Sequence, residues 1–260
     1  MSEARFRSIR VSRSGDATFI EINRPHRSNS LHGDAHFELD RAFAEFDSDD
    51  TQRVAVIRGA GERAFCAGTD LKEQSVRGET PMPETGFAGL TERFGLSKPV
   101  IAAVNGDAIG GGLEVVLACD LAIAADSARF GLPEPHVGLA ASGGLHRLAR
   151  TIPLKRAMEI ALTGRLFGAV EAYEFGLVNR VVKPAELESA VGDLIGQIRR
   201  GAPLSIRATK EMISRGLDEA SLEQAFARSY PSYRKMLNSR DAVEGVAAFA
   251  EKRAPKWTGT

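Results

Sequence analysis

The chain has 260 residues, enough for one sizeable domain or two small ones, with 43% hydrophobic residues and 34 basic residues matched by 34 acidic ones. A formal net charge of zero excludes a global field that would draw the chain onto nucleic acid or an anionic membrane, so an anionic ligand has to meet local charges. Two cysteines far apart, Cys66 and Cys119, form no C-x-x-C pair; buried thiols in a reducing compartment are expected rather than a zinc ribbon or a disulfide framework.

In chain order, Met1 to Arg7 lacks the apolar core of a signal peptide, and no later apolar run reaches membrane-spanning length, which predicts a cytoplasmic protein without a membrane partner. Ala17 to Ile22 and Val54 to Ile57 read as strands, and Asp34 to Phe46 between them as a helix. The stretch Arg77 to Gly89, rich in glycine, proline and charge, is expected to be a mobile loop. Val100 to Val104 reads as a buried strand, Gly112 to Ala118 as a helix and Leu121 to Ala124 as a strand. Beyond Pro153 the periodicity predicts helices over Lys155–Leu162, Ala169–Phe175, Ala185–Arg199, Pro203–Arg215, Ser221–Leu237 and Asp241–Glu251, interrupted by a strand from Leu177 to Val182. Alternation of strands and helices of this kind indicates an α/β class.

Three motifs fail on inspection. Gly59-Ala60-Gly61-Glu62-Arg63-Ala64 fits the dinucleotide pattern, but the following Phe65 to Asp70 lacks the periodicity of the helix that should hold a pyrophosphate. His32 and His36 have a spacing suited to a metal, yet no third ligand accompanies them and they are expected to face solvent; no metal site is expected. Ser142, in Ala141-Ser142-Gly143-Gly144, lacks the glycine order of a nucleophile elbow and reads as a loop serine.

The segments that carry chemistry lie between these. Gly110-Gly111-Gly112-Leu113-Glu114 follows a strand and opens an apolar helix; its amides are unobstructed, lack intrahelical acceptors and suit an anion or a developing oxyanion, with Glu114 one turn away. In Ala64 to Leu71, Gly68 can turn the chain and present the amide of Thr69, so that two amides converge on one oxygen. In Phe130-Gly131-Leu132-Pro133-Glu134-Pro135 a carboxylate is set between two prolines. Each glutamate alone reads most simply as a solvated side chain; beside two glycine-presented amides, the pair reads as an acid/base couple.

In this order and spacing, the segments resemble the crotonase, or enoyl-CoA hydratase/isomerase, superfamily. Further landmarks run through nearly the whole chain: Asn23-Arg24-Pro25 with Asn29 and Leu31, Asn105-Gly106, Gly138-Leu139, Gly143-Gly144-Leu145 with Arg147-Leu148, Leu162 to Arg165, Gly176-Leu177-Val178, and Phe249 to Arg253. The resemblance implies a spiral of repeated ββα units over residues 1–200 carrying the active site, and a C-terminal helical region over 201–260 for subunit packing into a trimer or a dimer of trimers. It implies that Thr69 and Gly111 supply the oxyanion-hole amides and that Glu134 and Glu114 are catalytic. Ala64, Ala67 and Leu71 are placed along the CoA path, with Gly68, Asp70, Gly110, Pro133 and Leu139 also at the substrate. Arg63 and Lys72 are placed where CoA phosphates could be met, with His26 or Arg27 on the opposite wall, and Lys252 matches a family lysine that reaches the CoA of a neighbouring subunit.

The superfamily shares its oxyanion hole among many reactions, and the acid/base groups decide between them. Glutamates at both positions point to hydration of a 2-enoyl-CoA to a 3-hydroxyacyl-CoA, with no cofactor beyond the CoA of the substrate. Ala140-Ala141-Ser142 departs from the proline, and in some relatives aspartate, of that loop, which weakens readings that need a third carboxylate. The tail from Asp241 to Trp257 resembles that of carnitinyl-CoA dehydratases, the alternative activity. Further alternatives are a CoA-ester-binding member with isomerase activity, or one that binds CoA esters or RNA without turnover, against which stand the intact glutamate pair and the neutral charge balance.

Overall fold

A computed structural model of the chain describes residues 6–78 and 81–260. It divides into two compact units, residues 1–95 with 100–192 and residues 96–99 with 193–260. The N-terminal segment read for a signal peptide falls largely outside the described residues, as do residues 79 and 80 of the expected mobile loop.

The first unit is built from two sheets. In the larger, the strands β1 (Ile9–Ser14), β2 (Ala17–Ile22), β3 (Val54–Gly59), β5 (Val100–Val104), β7 (Leu121–Ala125) and β10 (Arg180–Val182) lie in the order β1-β2-β3-β5-β7-β10. The β1–β2 pair is antiparallel and every other neighbour parallel. Parallel strands are covered on both faces, which is why Val100-Ile101-Ala102-Ala103-Val104 is apolar at every position and wholly buried. The smaller sheet runs β4 (Ala64–Cys66), β6 (Asp107–Ile109), β8 (Arg129–Gly131) and β9 (Phe167–Gly168), parallel except for the last pair.

Three inner strands of the large sheet are each followed by one of the small sheet and then by a helix: β3, β4 and α2 (Leu71–Arg77); β5, β6 and α3 (Gly111–Ala118); β7, β8 and, after a 3₁₀ turn at Glu134–Val137, α4 (Leu145–Thr151). This is the repeated ββα unit, preceded by β1, β2 and α1 (Gly33–Ser48). In α1, Ala35, Leu39, Ala42, Phe43 and Phe46 recur at helical spacing and are buried, and the His32 ring caps the helix by accepting from the Ala35 amide at 3.2 Å. Helix α3 is buried from Gly111 to Val116, and a methyl group on Gly112 would collide with the carbonyl oxygen of Cys66 at the end of β4. Only glycine permits that approach, and it brings the start of α3 against the small sheet.

The later helices are α5 (Leu154–Thr163), α6 (Ala169–Glu174), α7 (Leu187–Arg199), α8 (Pro203–Gly216), α9 (Leu222–Ala227), α10 (Pro231–Leu237) and α11 (Arg240–Ala250). In the second unit, the Trp257 indole donates to the Arg200 carbonyl at 2.9 Å and Arg253 forks onto Glu244.

The structure corrects several sequence expectations. The single helix expected over Ser221–Leu237 is two, because Pro231 cannot donate within a helix and starts a new one. The strand expected from Leu177 begins only at Arg180, after Gly176 takes φ +81°. Helices α2 and α4, too short for periodicity to reveal, were not expected. The end of the expected mobile loop is packed: Phe87, Ala88 and Gly89 form a buried 3₁₀ turn. His36 does not face solvent; it is fully buried, and burial with the charge of His32 pushes its pKa down to about 4. Cys66 is buried, its thiol pushed up to about 12 mainly by burial, whereas Cys119 is only half-buried. The segment fitting the dinucleotide pattern leads into strand β4 rather than a helix.

Candidate active site

The small sheet positions the site. Strands β4, β6 and β8 are parallel neighbours with Cys66 opposite Ala108 and Ile109 opposite Gly131, so the segments leaving their C-terminal ends emerge side by side. They are Ala67–Thr69, Gly110–Gly111 and Leu132–Glu134.

Beyond β4, Gly68 takes φ +84°. Leu31 pairs with the turn as in a parallel bridge, its amide donating to the Gly68 carbonyl and its carbonyl accepting from the Asp70 amide, each at 2.8 Å. In that pattern the amide of Thr69 points away from Leu31. Asn29, at φ 55°, braces the approach: its carbonyl oxygen accepts from the Arg24 amide at 3.0 Å and its amide nitrogen donates to the carbonyls of Ala60 and Ala64 at 2.9 and 2.7 Å. Arg24, 8% exposed, donates to the Ser30 carbonyl at 2.5 Å and to the Asp70 carboxylate at 3.1 Å. Burial alone would raise the Asp70 pKa, but the Glu73 amide and the Arg24 charge hold it below the usual carboxylate range.

Beyond β6, Gly110 takes φ +58° and donates its amide to the Gly131 carbonyl at 2.8 Å, leaving Gly111 as the first residue of α3. An amide there has no acceptor within the helix and sits at the positive end of the helix dipole. A methyl group on Gly68 would lie 3.0 Å from the Gly111 nitrogen. The Gly111 amide therefore abuts the residue preceding Thr69, and the two candidate oxyanion donors are neighbours on adjoining segments.

Both carboxylates belong to this place. A methyl group on Gly110 would lie 2.8 Å from a Glu134 carboxylate oxygen, so Glu134 reaches over the glycine run. Glu114 stands one turn along α3, with its amide on the Gly110 carbonyl at 3.1 Å, and its side chain packs against Gly144 and Gly143 at the start of α4. Burial first, and then the charge of Glu134, push the Glu114 pKa from 4.5 to about 7, against the opposing pull of the Gly144 and Gly143 amides and of Arg147. Glu134 is also raised, by burial. Each carries one buried oxygen, Oε1 of Glu114 and Oε2 of Glu134, with no hydrogen-bond partner among the described residues. Two carboxyl groups that resist ionisation beside the candidate donors Thr69 and Gly111 have the chemistry to exchange protons with a substrate whose oxygen those amides would hold.

The other candidate residues fall into three places. Ala64 is buried in β4, Ala67 donates its amide to the Ser28 carbonyl at 3.1 Å, and exposed Leu71 and Lys72 open α2. That bond places the exposed His26 and Arg27 of the turn Pro25–Arg27 beside the same segment, where the Arg27 charge also reaches Asp70. Arg63 is exposed just ahead of β4, Pro133 precedes Glu134, and Leu139, half-exposed, donates its amide to the Glu134 carbonyl at 3.0 Å. Asp70 is committed to Arg24 and to capping α2. Lys252 is exposed in the second unit, just past α11, at φ 55°.

Sequence reasoning missed the supports of Glu114. Arg147 donates to the Gly143 carbonyl at 3.2 Å, and its charge acts on Glu114. The signal present in the sequence was the glycine pair Gly143-Gly144 directly before a helix, as Gly110-Gly111 stands before α3.

The model of the enoyl-CoA hydratase/isomerase family matches residues 13–260. A carnitinyl-CoA dehydratase of Escherichia coli K12 is 45% identical over 263 aligned positions, covering 97% of this chain and 98% of the relative; that of Proteus mirabilis is 43% identical with the same coverage. Among solved structures, enoyl-CoA hydratases of Mycobacterium tuberculosis and Mycobacterium marinum superpose with TM-scores of 0.91 at 40% and 41% identity, covering 97% of this chain and 99% of theirs. The ββα repeat, the paired amides and the paired glutamates thus sit in a chain that belongs to the enoyl-CoA hydratase/isomerase family and has the crotonase fold.

Proposed function

We propose that the chain is a hydro-lyase that adds water reversibly to a 2-enoyl-CoA thioester, with Thr69 and Gly111 as oxyanion-hole donors and Glu114 and Glu134 as the acid/base pair. The observation that carries this reading is a pair of carboxyl groups of raised pKa, each with an oxygen unpartnered among the described residues, with Glu134 over Gly110 and its charge acting on Glu114 one turn along the same helix.

In the hydration direction, the thioester oxygen accepts from the Thr69 and Gly111 amides. Glu114, ionised, takes a proton from water as the water oxygen bonds to the β-carbon. The electrons of the double bond move toward the thioester oxygen, and Glu134, protonated, delivers its proton to the α-carbon as the enolate collapses. Proton exchange between the carboxyl groups and solvent restores the starting forms. Burial, and for Glu114 also the charge of Glu134, raise both carboxyl groups so that one proton is held on the pair near neutrality; in the free site that proton rests on Glu114, and it passes to Glu134 before the transfers begin. The reading calls for no cofactor besides the CoA of the substrate and for a cytoplasmic location; no helix among the described residues is long and apolar enough to cross a membrane. It includes assembly as a trimer or a dimer of trimers, supported by Val243, Val246 and Phe249, which recur at helical spacing on α11 and are 72%, 74% and 89% exposed.

The test is optical. The conjugated-thioester absorbance of crotonyl-CoA is expected to fall when protein is added. Glu134→Gln is expected to slow that change by about 10²–10⁴-fold while CoA-ester binding persists. An absorbance unmoved by any short or medium enoyl-CoA would overturn the reading. A second reading, dehydration of carnitinyl-CoA, is favoured by the 45% identity to enzymes of that name; crotonobetainyl-CoA hydrated in strong preference to crotonyl-CoA would establish it.

A further inference from the structure

The turn Phe87–Gly89 is clamped to α1 at several points. The Ala88 amide donates to Nδ1 of buried His36 at 3.0 Å, although Ala88 must take φ 56° to do so, a left-handed conformation that an alanine adopts only when its surroundings enforce it. Gly89, at φ +62°, lies so close to the Asp40 backbone that a methyl group would collide with it. Arg93 closes the clamp, donating to the Gly89 carbonyl and to the Asp40 carbonyl, each at 2.8 Å. As an acceptor at Nδ1, His36 is the neutral tautomer with its proton on Nε2, a buried nitrogen without a partner among the described residues.

What this rigid turn presents is the Phe87 ring, 7% exposed and in a T-shaped contact with His36 at 4.6 Å between centroids. A methyl group on Gly111 would collide with that ring, so Phe87 lies directly against the oxyanion-hole glycine. Four residues on, Thr91 lies against Gly143 beside the Glu114 carboxyl: a methyl group on Gly143 would be 3.3 Å from Thr91 and 3.4 Å from Glu114 Cδ. The segment therefore runs alongside the stretch from Gly111 to Glu114, with Phe87 at the end where the thioester oxygen is bound. The acyl atoms nearest Gly111 are then the carbonyl carbon and the α-carbon.

We infer that Phe87 is a specificity-determining residue and His36 its positioning residue: the His36-anchored turn holds the Phe87 ring against Gly111 and excludes acyl groups branched at the α-carbon. The inference rests on the hydratase reading for the placement of the thioester.

The experiment has a binding arm and a turnover arm. Calorimetry compares butanoyl-CoA with 2-methylbutanoyl-CoA, and the absorbance assay compares crotonyl-CoA with 2-methylcrotonyl-CoA, in the wild type and in Phe87→Ala, Phe87→Leu, His36→Asn and His36→Leu. The wild type is expected to prefer the unbranched ester by about 10–200-fold, the effect of one methyl group in a packed pocket. Phe87→Ala is expected to reduce that preference by about tenfold or more; Phe87→Leu, a smaller change in volume that preserves folding, shifts it the same way. His36→Asn keeps an acceptor near the Nδ1 position and retains the wild-type ratio, whereas His36→Leu relaxes it toward that of Phe87→Ala. A wild type without preference, or a ratio unmoved in both Phe87 variants, overturns the wall; equal, unshifted ratios in the two His36 variants overturn the anchor. If no enoyl-CoA is hydrated yet the affinity ratio shifts as stated, the reaction falls and the wall stands. If hydration proceeds with an unmoved ratio, the wall alone falls.

Discussion

Replacing Glu114 by glutamine exchanges an ionisable side chain that is 6% exposed for a neutral one of nearly the same shape. Folding moves this carboxyl from 4.5 to about 7, first through burial and then through the charge of Glu134. The folded chain thus holds its proton to a higher pH than the unfolded chain does. The resulting contribution to stability is fully present below about pH 4.5 and is lost as the pH rises through about 7. At roughly 1.4 kcal/mol per pKa unit the loss comes to about 3 kcal/mol, on the order of 5–10 °C in Tm for a chain of this size. The glutamine variant has no such proton to lose. Thermal melts at constant ionic strength between pH 5 and 8 should therefore show similar Tm values for the two proteins at the acid end, and a variant that gains on the wild type steadily toward pH 8. The same protein should have lost hydration activity by about 10²–10⁴-fold, since the water has lost its base. Melting curves that stay parallel across the range would show that Glu114 ionises as freely as in the unfolded chain, and the proton-sharing account of the site would fail with it.

The proposed oxyanion hole is expected to respond to a single methyl group. Gly68→Ala places one 3.0 Å from the Gly111 nitrogen, on a backbone at φ +84°, and should reduce kcat for crotonyl-CoA by on the order of 10²-fold, with circular dichroism close to wild type. A kcat within a few-fold of wild type would place the reacting oxygen elsewhere. Asn29→Ala removes the acceptor of the Arg24 amide and the donor to Ala60 and Ala64; a loss of about 2–4 kcal/mol in chemical denaturation is expected. His36, held neutral by burial with a pKa of about 4, contributes stability that is present above its unfolded value of 6.5 and lost as the pH falls through about 4. His36→Asn should accordingly flatten the acid limb of the Tm profile while leaving the alkaline limb in place.

The glycine runs and their neighbours were legible in the sequence because their physics is local. Three glycines before an apolar helix, a glycine after a short apolar segment and a glutamate between prolines each describe a backbone that presents an amide or a carboxylate. Longer elements such as α1 and α8 were readable for a similar reason, their buried residues recurring at helical spacing. The three-residue strands of the small sheet were not, since β4, β6 and β8 are too short for any period and exist only because each finds a neighbour distant in sequence. His36 was misread on the same ground: whether a helical histidine meets water or the turn at Ala88 depends on residues fifty positions away.

Chemical type was thus in the sequence by itself, which carried two carboxylates, two exposed amides and no excess of charge. Tertiary structure decided what no window of residues contains: that β4, β6 and β8 deliver their ends to one edge, that Glu134 crosses Gly110, and that Glu114 is buried against Gly143 and Gly144. Desolvation and the charge of Glu134 act through space, so the raised pKa of Glu114 arises only when the chain has folded around it.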